Sequence, residues 1–250
     1  MDIIEISYRF KLDQHRQEII DLRLDAQNLE IINKTGRKLP PWTKLDFLKC
    51  PHCPLNSGSH PECPIAVSLI DVVERFDSVL SCDEIDLEVF APDRKVSQRT
   101  TAQRGISSLL GFLFPTSGCP HTAFFKPMVR FHLPMATAED TIFRATGMYL
   151  LAQYFRLKEG RAGDFDFRGL TKIYNNLHLL NIHVAKRLRL SVEAESPINA
   201  IVLLDVFTHA LPMFIEDNLE EIRHLFTPYF SEFYDSCIRD ESRTGGSGRK

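Results

Sequence analysis

The first third of the chain alternates apolar and polar residues, which is the pattern of strands with one buried face. Residues 2–12 carry apolar side chains at every second position, and residues 16–25 and 28–33 continue the pattern with β-branched residues. Gly36 and the following Pro40-Pro41 pair end it. These segments predict an antiparallel meander, and the alternation in residues 84–90 predicts a further strand.

The second half repeats apolar residues every three or four positions, which predicts helices. Thr137 and Asp140 have the spacing of a capping box, so a helix should begin there. The predicted helices cover residues 65–79, 101–113, 137–158, 166–194 and 218–226, and another starts at Ser196-Pro197 and should kink or stop near Pro212.

These elements predict an α+β protein. We expect an N-terminal antiparallel β-sheet packed with a C-terminal helical bundle, with metal-binding cysteine loops between them. By domain, residues 1–100 should hold the sheet, a cysteine loop and one helix, and residues 101–240 the helical domain. Residues 241–250, rich in Gly and Ser, should form a flexible tail.

Composition narrows the function classes. The chain has 250 residues, of which 44% are hydrophobic and 25% charged, with a formal net charge of −3. That balance does not favour nucleic acid as a partner. No signal peptide precedes the first strand, and no apolar run approaches the roughly 20 residues of a membrane span. We therefore expect a cytoplasmic protein without membrane contact, in which cysteines are thiols or metal ligands rather than disulfides.

Four of the six cysteines are each followed by proline: Cys50, Cys53, Cys63 and Cys119. Cys50 and Cys53 have the C-x2-C spacing that lets two thiolates converge on one ion. Proline fixes the loop around each cysteine, and Pro64 should place Cys63 at the N-cap of a helix. Cys82 and Cys237 lack this context. The pattern predicts a metal site built from the four cysteines that precede proline.

Two kinds of metal centre can be bound by four thiolates. Zinc is favoured because loop-borne C-x2-C pairs are typical of structural zinc sites. A [4Fe-4S] cluster is the alternative, because Cys-Pro pairs recur in ferredoxins. One of His52, His60 and His121 could replace a cysteine as metal ligand. For all three, however, contact with a ligand residue or with solvent is favoured. A closed four-thiolate site would be structural or electron-transferring, because a hydrolytic zinc needs an open position.

The cysteine segments also carry a resemblance. The motifs CPHCP, HPECP, SGCPH and KPMVRFHLP, followed by YLLAQYF, resemble an uncharacterised bacterial family known as a domain of unknown function. The resemblance spans roughly residues 40–160. It implies a bacterial cytoplasmic protein whose cysteine loops belong together, and it implies no particular activity.

Other polar residues support weaker expectations. Lys126, Arg130 and Arg144 could contact a phosphate or carboxylate together with His132, although a solvated face is favoured, with Arg144 paired to Asp140. The helical residues His178, His183, Asp205 and His209 match no metal motif, so ordinary helix positions are favoured for them.

Two functions remain open. The first is a non-enzymatic binding or regulatory protein in which zinc is a structural cross-link. The second is a redox protein or enzyme carrying an iron–sulfur cluster. No nucleotide-binding or serine-nucleophile motif is present in the sequence, so the first is favoured. The partner would be an unknown protein or small ligand, and the helical half could form a homodimer.

Overall fold

Four strands form one antiparallel sheet in the order β2-β1-β3-β4. The computed structural model describes residues 2–32 and 38–244, excepting the side chains of residues 207, 211–214, 216–218 and 239–244. The strands are β1 (Ile3–Lys11), β2 (Gln17–Asp25), β3 (Glu84–Ala91) and β4 (Arg94–Thr101). The long connection from β2 to β3 contains Cys50, Cys53 and Cys63, and this stretch is the first cysteine loop. The chain therefore leaves the sheet before this loop and rejoins the same sheet after it.

One face of the sheet is buried because apolar residues alternate along the inner strands. Tyr8 and Phe10 on β1 are fully buried, and Leu87 on β3 lies directly opposite Phe10. The alternation predicted this face correctly.

Eight α-helices are found in the described part of the chain. They are α1 (Pro64–Ser68), α2 (Ile70–Arg75), α3 (Ala102–Thr116), α4 (Lys126–Arg130), α5 (Ala138–Lys158), α6 (Arg168–Arg189), α7 (Glu195–Ile222) and α8 (Glu232–Thr244). The sheet followed by a helical region confirms the α+β class. No helix in the described ranges has the length and apolarity needed to cross a bilayer.

The strand predictions contain one error and one omission. The segment at 28–33 forms no strand up to residue 32, and Ile31 makes only an isolated bridge to Leu24; residue 33 lies outside the described residues. In addition, β4 was not predicted, because its sequence RKVSQRTT is almost wholly polar. As an edge strand it needs no apolar face, and Lys95 and Arg99 pair instead with carboxylates of β3.

The helix boundaries were predicted more closely. The capping box at Thr137 and Asp140 is present at the start of α5. The helix predicted over 65–79 is divided at Leu69 into α1 and α2. The backbone of α7 stays helical through position 212, so the helix does not stop there, and the kink predicted as the alternative stays a prediction.

Backbone contacts divide the chain into two compact units, residues 1–213 and residues 214–250. The first unit contains the sheet, α1 to α6 and most of α7. The second contains the end of α7, the 3₁₀ segment Arg223–Phe230 and α8. The domain boundary expected at residue 100 stays a prediction, and residues 245–250 of the expected tail lie outside the described residues.

Candidate metal centre and cavity

Cys63 is held by a short antiparallel pairing between two stretches of the first cysteine loop. Its backbone N–H donates to the carbonyl of Thr43 at 2.7 Å, and Lys44 forms a bridge with Glu62. Cys63 is the N-cap of α1 and Pro64 is its first residue, as the sequence predicted. The pairing fixes the position of Cys63 relative to residues 43–45.

The C-x2-C turn lies against the second cysteine loop. The N–H of Cys53 donates to the carbonyl of Cys50 at 3.0 Å, which closes the turn. His52, inside that turn, accepts through its carbonyl a hydrogen bond of 2.9 Å from Nε2 of His121. The rings of His52 and His121 are 4.2 Å apart between centroids. The loop that carries Cys119 is thereby joined to the loop that carries Cys50 and Cys53.

The four thiols are close enough for the charge of one thiolate to act on the others. Burial, with the negative charges of the other three cysteines, raises the pKa of Cys50 to about 12. Burial also raises the pKa of Cys119 to about 11, with smaller effects from Cys63 and Cys53. Within residues 2–32 and 38–244, however, no group of three or more His, Cys, Asp or Glu side chains is arranged to hold a metal ion directly. The fold brings the cysteines into one neighbourhood, but their sulfur atoms do not form a coordination shell.

A buried arginine lies beside this neighbourhood. Arg187 of α6 is 2% exposed, and its guanidinium donates to the carbonyls of Trp42 at 2.7 Å and Lys44 at 2.6 Å. Its positive charge lowers the pKa of Cys50, against the larger effect of burial. Arg187 has no carboxylate partner in the part of the chain that the structure describes. A buried cation without a carboxylate is stabilised by nearby negative charge, which the thiolates would supply.

The histidines near the cysteines contact backbone carbonyls. Nε2 of His52 donates to the carbonyl of Asn176 on α6 at 2.9 Å, and burial lowers the pKa of this imidazole. His60 lies elsewhere on the surface and contacts the hydroxyl of Ser59. Replacement of a cysteine by one of these histidines stays a prediction. Cys82 and Cys237 are both exposed.

A cavity of about 450 Å³ lies in the first unit, next to the loop of Cys119. Thr122 and Phe125, which follow Cys119 closely, are part of its wall. The hydroxyl of Thr122 donates to the carbonyls of Phe114 and Cys119, so the same residue fixes the cysteine loop and the cavity wall.

Of the predicted anion contacts, Arg144 and His132 line this cavity, and Lys126 and Arg130 do not. Arg144 donates to the carbonyls of Met128 and Phe131, both at 2.9 Å, rather than forming the expected ion pair with Asp140. Asp140 is engaged in the capping box of α5. Lys126 pairs with Glu30 at 3.5 Å, and Arg130 lies over the ring of Phe131.

Comparison with known proteins identifies a family. A family model described as a domain of unknown function, DUF6901, matches residues 6–227. The chain belongs to the DUF6901 family. No curated protein and no solved structure matches it. The match extends well beyond the cysteine segments, so both loops, the cavity and the helices up to the start of the 3₁₀ segment are parts of the DUF6901 domain.

The most important residue that the sequence prediction missed in this DUF6901 domain is Arg187. It continues the apolar seam of α6, three residues after the buried Val184, so the spacing places a charged residue on the buried face. That spacing was the available signal. The carbonyls that Arg187 contacts lie more than 140 residues earlier in the chain and carry no signal of their own.

A cluster of polar side chains lies between α6 and α7 and includes two of the remaining candidate residues, His178 and Asp205. Nδ1 of His178 lies 3.0 Å from the carboxylate of Asp205, and the amide of Asn181 donates to the same carboxylate. The rings of His178 and His209 are 4.5 Å apart. These contacts give His178 and Asp205 polar partners between packed helices, which agrees with the favoured expectation for them. Oδ1 of Asn181 and Nδ1 of His183 are buried without a hydrogen-bond partner among the described residues.

Proposed function

We propose that this DUF6901 protein is a cytosolic, non-enzymatic binding or regulatory protein in which zinc, held by Cys50, Cys53, Cys63 and Cys119, cross-links the two cysteine loops. One observation carries the proposal: thiols from three separate segments gather beside a buried arginine. A bacterial origin, cytoplasmic location and homodimer through the helical half belong to this proposal as expectations.

The donor set fits zinc in chemistry and charge. Four sulfur ligands suit tetrahedral zinc. Four thiolates around one Zn²⁺ carry two net negative charges, and the fully charged Arg187 would offset part of that charge. The backbone of both loops is held by the hydrogen bonds to Thr43 and from His121. The ion would supply a bond between loops that are distant in sequence.

The test is metal analysis of the full chain purified under reducing, oxygen-free conditions. We expect about one zinc per chain in the wild-type protein. Cys119→Ser should lower the zinc content more than tenfold, because it removes one of four ligands. Cys237→Ser is the matched control, since Cys237 is exposed and is not followed by proline. Equal zinc loss in both variants, or no metal in the wild type, would reject the proposed ligands.

A [4Fe-4S] redox protein is the second candidate, because proline follows each of the four cysteines as it does in some ferredoxins. If the purified protein is brown and absorbs near 400 nm (roughly where thiolate-bound clusters absorb), the four cysteines hold this cluster and not zinc. A colourless protein with bound zinc would exclude it.

A further inference from the structure

The cavity beside the Cys119 loop is lined mainly by apolar side chains from several helices. Phe114 and Pro115 come from α3, and Leu177 and Leu203 come from α6 and α7. A volume of about 450 Å³ lies within the roughly 300–1,000 Å³ that is typical of small-molecule sites. It would hold on the order of 15 non-hydrogen atoms, if each takes about the 30 Å³ of a water molecule in the liquid. The ligand body that fits this wall is a hydrocarbon of moderate length.

The charges on the cavity wall have one sign. Arg104 and Arg144 are the charged residues of the lining, and no Asp or Glu is among the lining residues that the structure describes. Arg104 is exposed and makes no ion pair with any described residue, which places it at the opening. Arg144 is partly buried. A negatively charged group on the ligand would therefore meet no repelling carboxylate on this wall.

Arg144 is held in place by backbone groups and retains free donors. One of its terminal nitrogens, Nη2, donates to the carbonyls of both Met128 and Phe131. Its Nε and Nη1 groups have no hydrogen-bond partner within residues 2–32 and 38–244. A guanidinium fixed by one nitrogen and free at the others can donate to a carboxylate without losing its existing contacts.

Tyr174 of α6 supplies a second donor. Its side chain lies on the cavity wall and is 5% exposed, yet its hydroxyl has no partner in the described part of the chain. Arg144 and Tyr174 are near enough to influence each other electrostatically. A tyrosine hydroxyl without a protein partner on a cavity wall can donate to the carboxylate of a bound ligand.

His132 supplies a third polar group. Its Nε2 pairs with the hydroxyl of buried Tyr8, and its ring lines the cavity. The Tyr8 hydroxyl also lies 3.4 Å from the carbonyl of Ser108, so its single hydrogen serves either that carbonyl or His132. Nδ1 of His132 makes no hydrogen bond to any residue described.

We propose that this cavity binds an aliphatic monocarboxylic acid of medium chain length, with its carboxylate at Arg144 and Tyr174 and its hydrocarbon chain against the apolar wall. This site goes beyond the proposed zinc cross-link and does not depend on it.

Isothermal titration calorimetry of the full chain with sodium decanoate tests the site, with decanol as the neutral probe of the same chain length. Decanoate should bind saturably and at least tenfold more tightly than decanol. Arg144→Gln should weaken decanoate binding about 10- to 100-fold, since hydrogen bonds to charged groups contribute about 1.5–3 kcal/mol. Tyr174→Phe keeps the ring in place and should weaken it about 3- to 10-fold.

Arg130→Gln is the matched control, because Arg130 lies on α4 close to the cavity but is not part of its wall. Its affinity for decanoate should equal that of the wild type. Equal binding of decanol and decanoate, unchanged affinity in both Arg144→Gln and Tyr174→Phe, or no saturable binding at all would overturn the site. Zinc content measured on the same samples separates failure of this site from failure of the metal site.

Discussion

At the scale of single residues, Arg187 connects α6 to the backbone of the first cysteine loop. It is the largest fully buried side chain in the described part of the chain, and it satisfies backbone carbonyls of Trp42, Lys44 and Leu45. Those carbonyls belong to the stretch that fixes Cys63 by pairing. One side chain of α6 therefore holds the first cysteine loop in shape.

We predict that Arg187→Met lowers the free energy of unfolding by about 3 kcal/mol or more, because buried carbonyls lose their donors. Urea denaturation followed by circular dichroism measures this change. Arg189→Met, two residues further on α6 and exposed, should change the free energy by less than about 0.5 kcal/mol. Similar losses in both variants would show that Arg187 acts only as part of a generally sensitive helix.

At the scale of elements, the turn between α5 and α6 is built around Asp164. Its carboxylate accepts hydrogen bonds from the hydroxyl of Tyr149 at 2.5 Å and from the N–H of Gly169 at 2.6 Å. These bonds hold the pKa of Asp164 below its ordinary value. Gly169 is required here, because a Cβ at this position would lie 2.1 Å from the Tyr149 hydroxyl.

Gly169→Ala should therefore destabilise the protein by about 1–3 kcal/mol through overpacking, although alanine is the better helix former. The cost should shrink in a Tyr149→Phe background, where the nearest oxygen is gone, and a double-mutant cycle measures that coupling. Gly147→Ala on α5 is the control, since a Cβ there meets nothing within 4 Å. An unchanged cost with Tyr149→Phe would remove the hydroxyl as the cause.

At the scale of the whole molecule, the pair formed by Tyr8 and His132 joins the sheet to the segment between α4 and α5. Burial, and to a smaller extent the charge of Arg144, lowers the pKa of His132 to about 3 from its ordinary value of 6.5. Below about pH 6.5 the unfolded chain binds a proton on this residue that the folded chain does not bind. Unfolding takes up that proton, so the folded state loses stability as the pH falls.

We predict that the free energy of unfolding falls between pH 6.5 and pH 5, with a contribution from His132 of at most about 1.4 kcal/mol per pH unit. Urea denaturation at a series of pH values measures the slope. His132→Gln should reduce this slope without abolishing it, because His52, whose pKa burial also lowers, adds in the same direction. A slope equal to that of the wild type would show that the pKa of His132 is the same in the folded and the unfolded chain.

The sequence predicted those features that depend on local periodicity. Alternation located β1, β2 and β3, and the capping box located α5, because each is decided by residues a few positions apart. Strand β4 was missed because an edge strand with ion pairs has no apolar period. The four cysteines of the predicted metal site were distinguished from the other two by the proline that follows each of them. The carbonyl partners of Arg187 and the cavity could not be located from sequence, because the residues that form them come from elements far apart in the chain.

The hydrogen bonds from Arg187 to residues 42–45 can form only after α6 has been synthesised. A chain made from its N-terminus exposes Cys50 and Cys53 long before α6 is synthesised. At roughly 5–20 residues per second the interval is on the order of ten seconds. During that interval the first loop lacks both its arginine and the contact of His52 with Asn176. The thiols are thus more open to oxidants and to free metal ions while the ribosome is still at work, and in the finished fold Cys50 and Cys53 are half-buried.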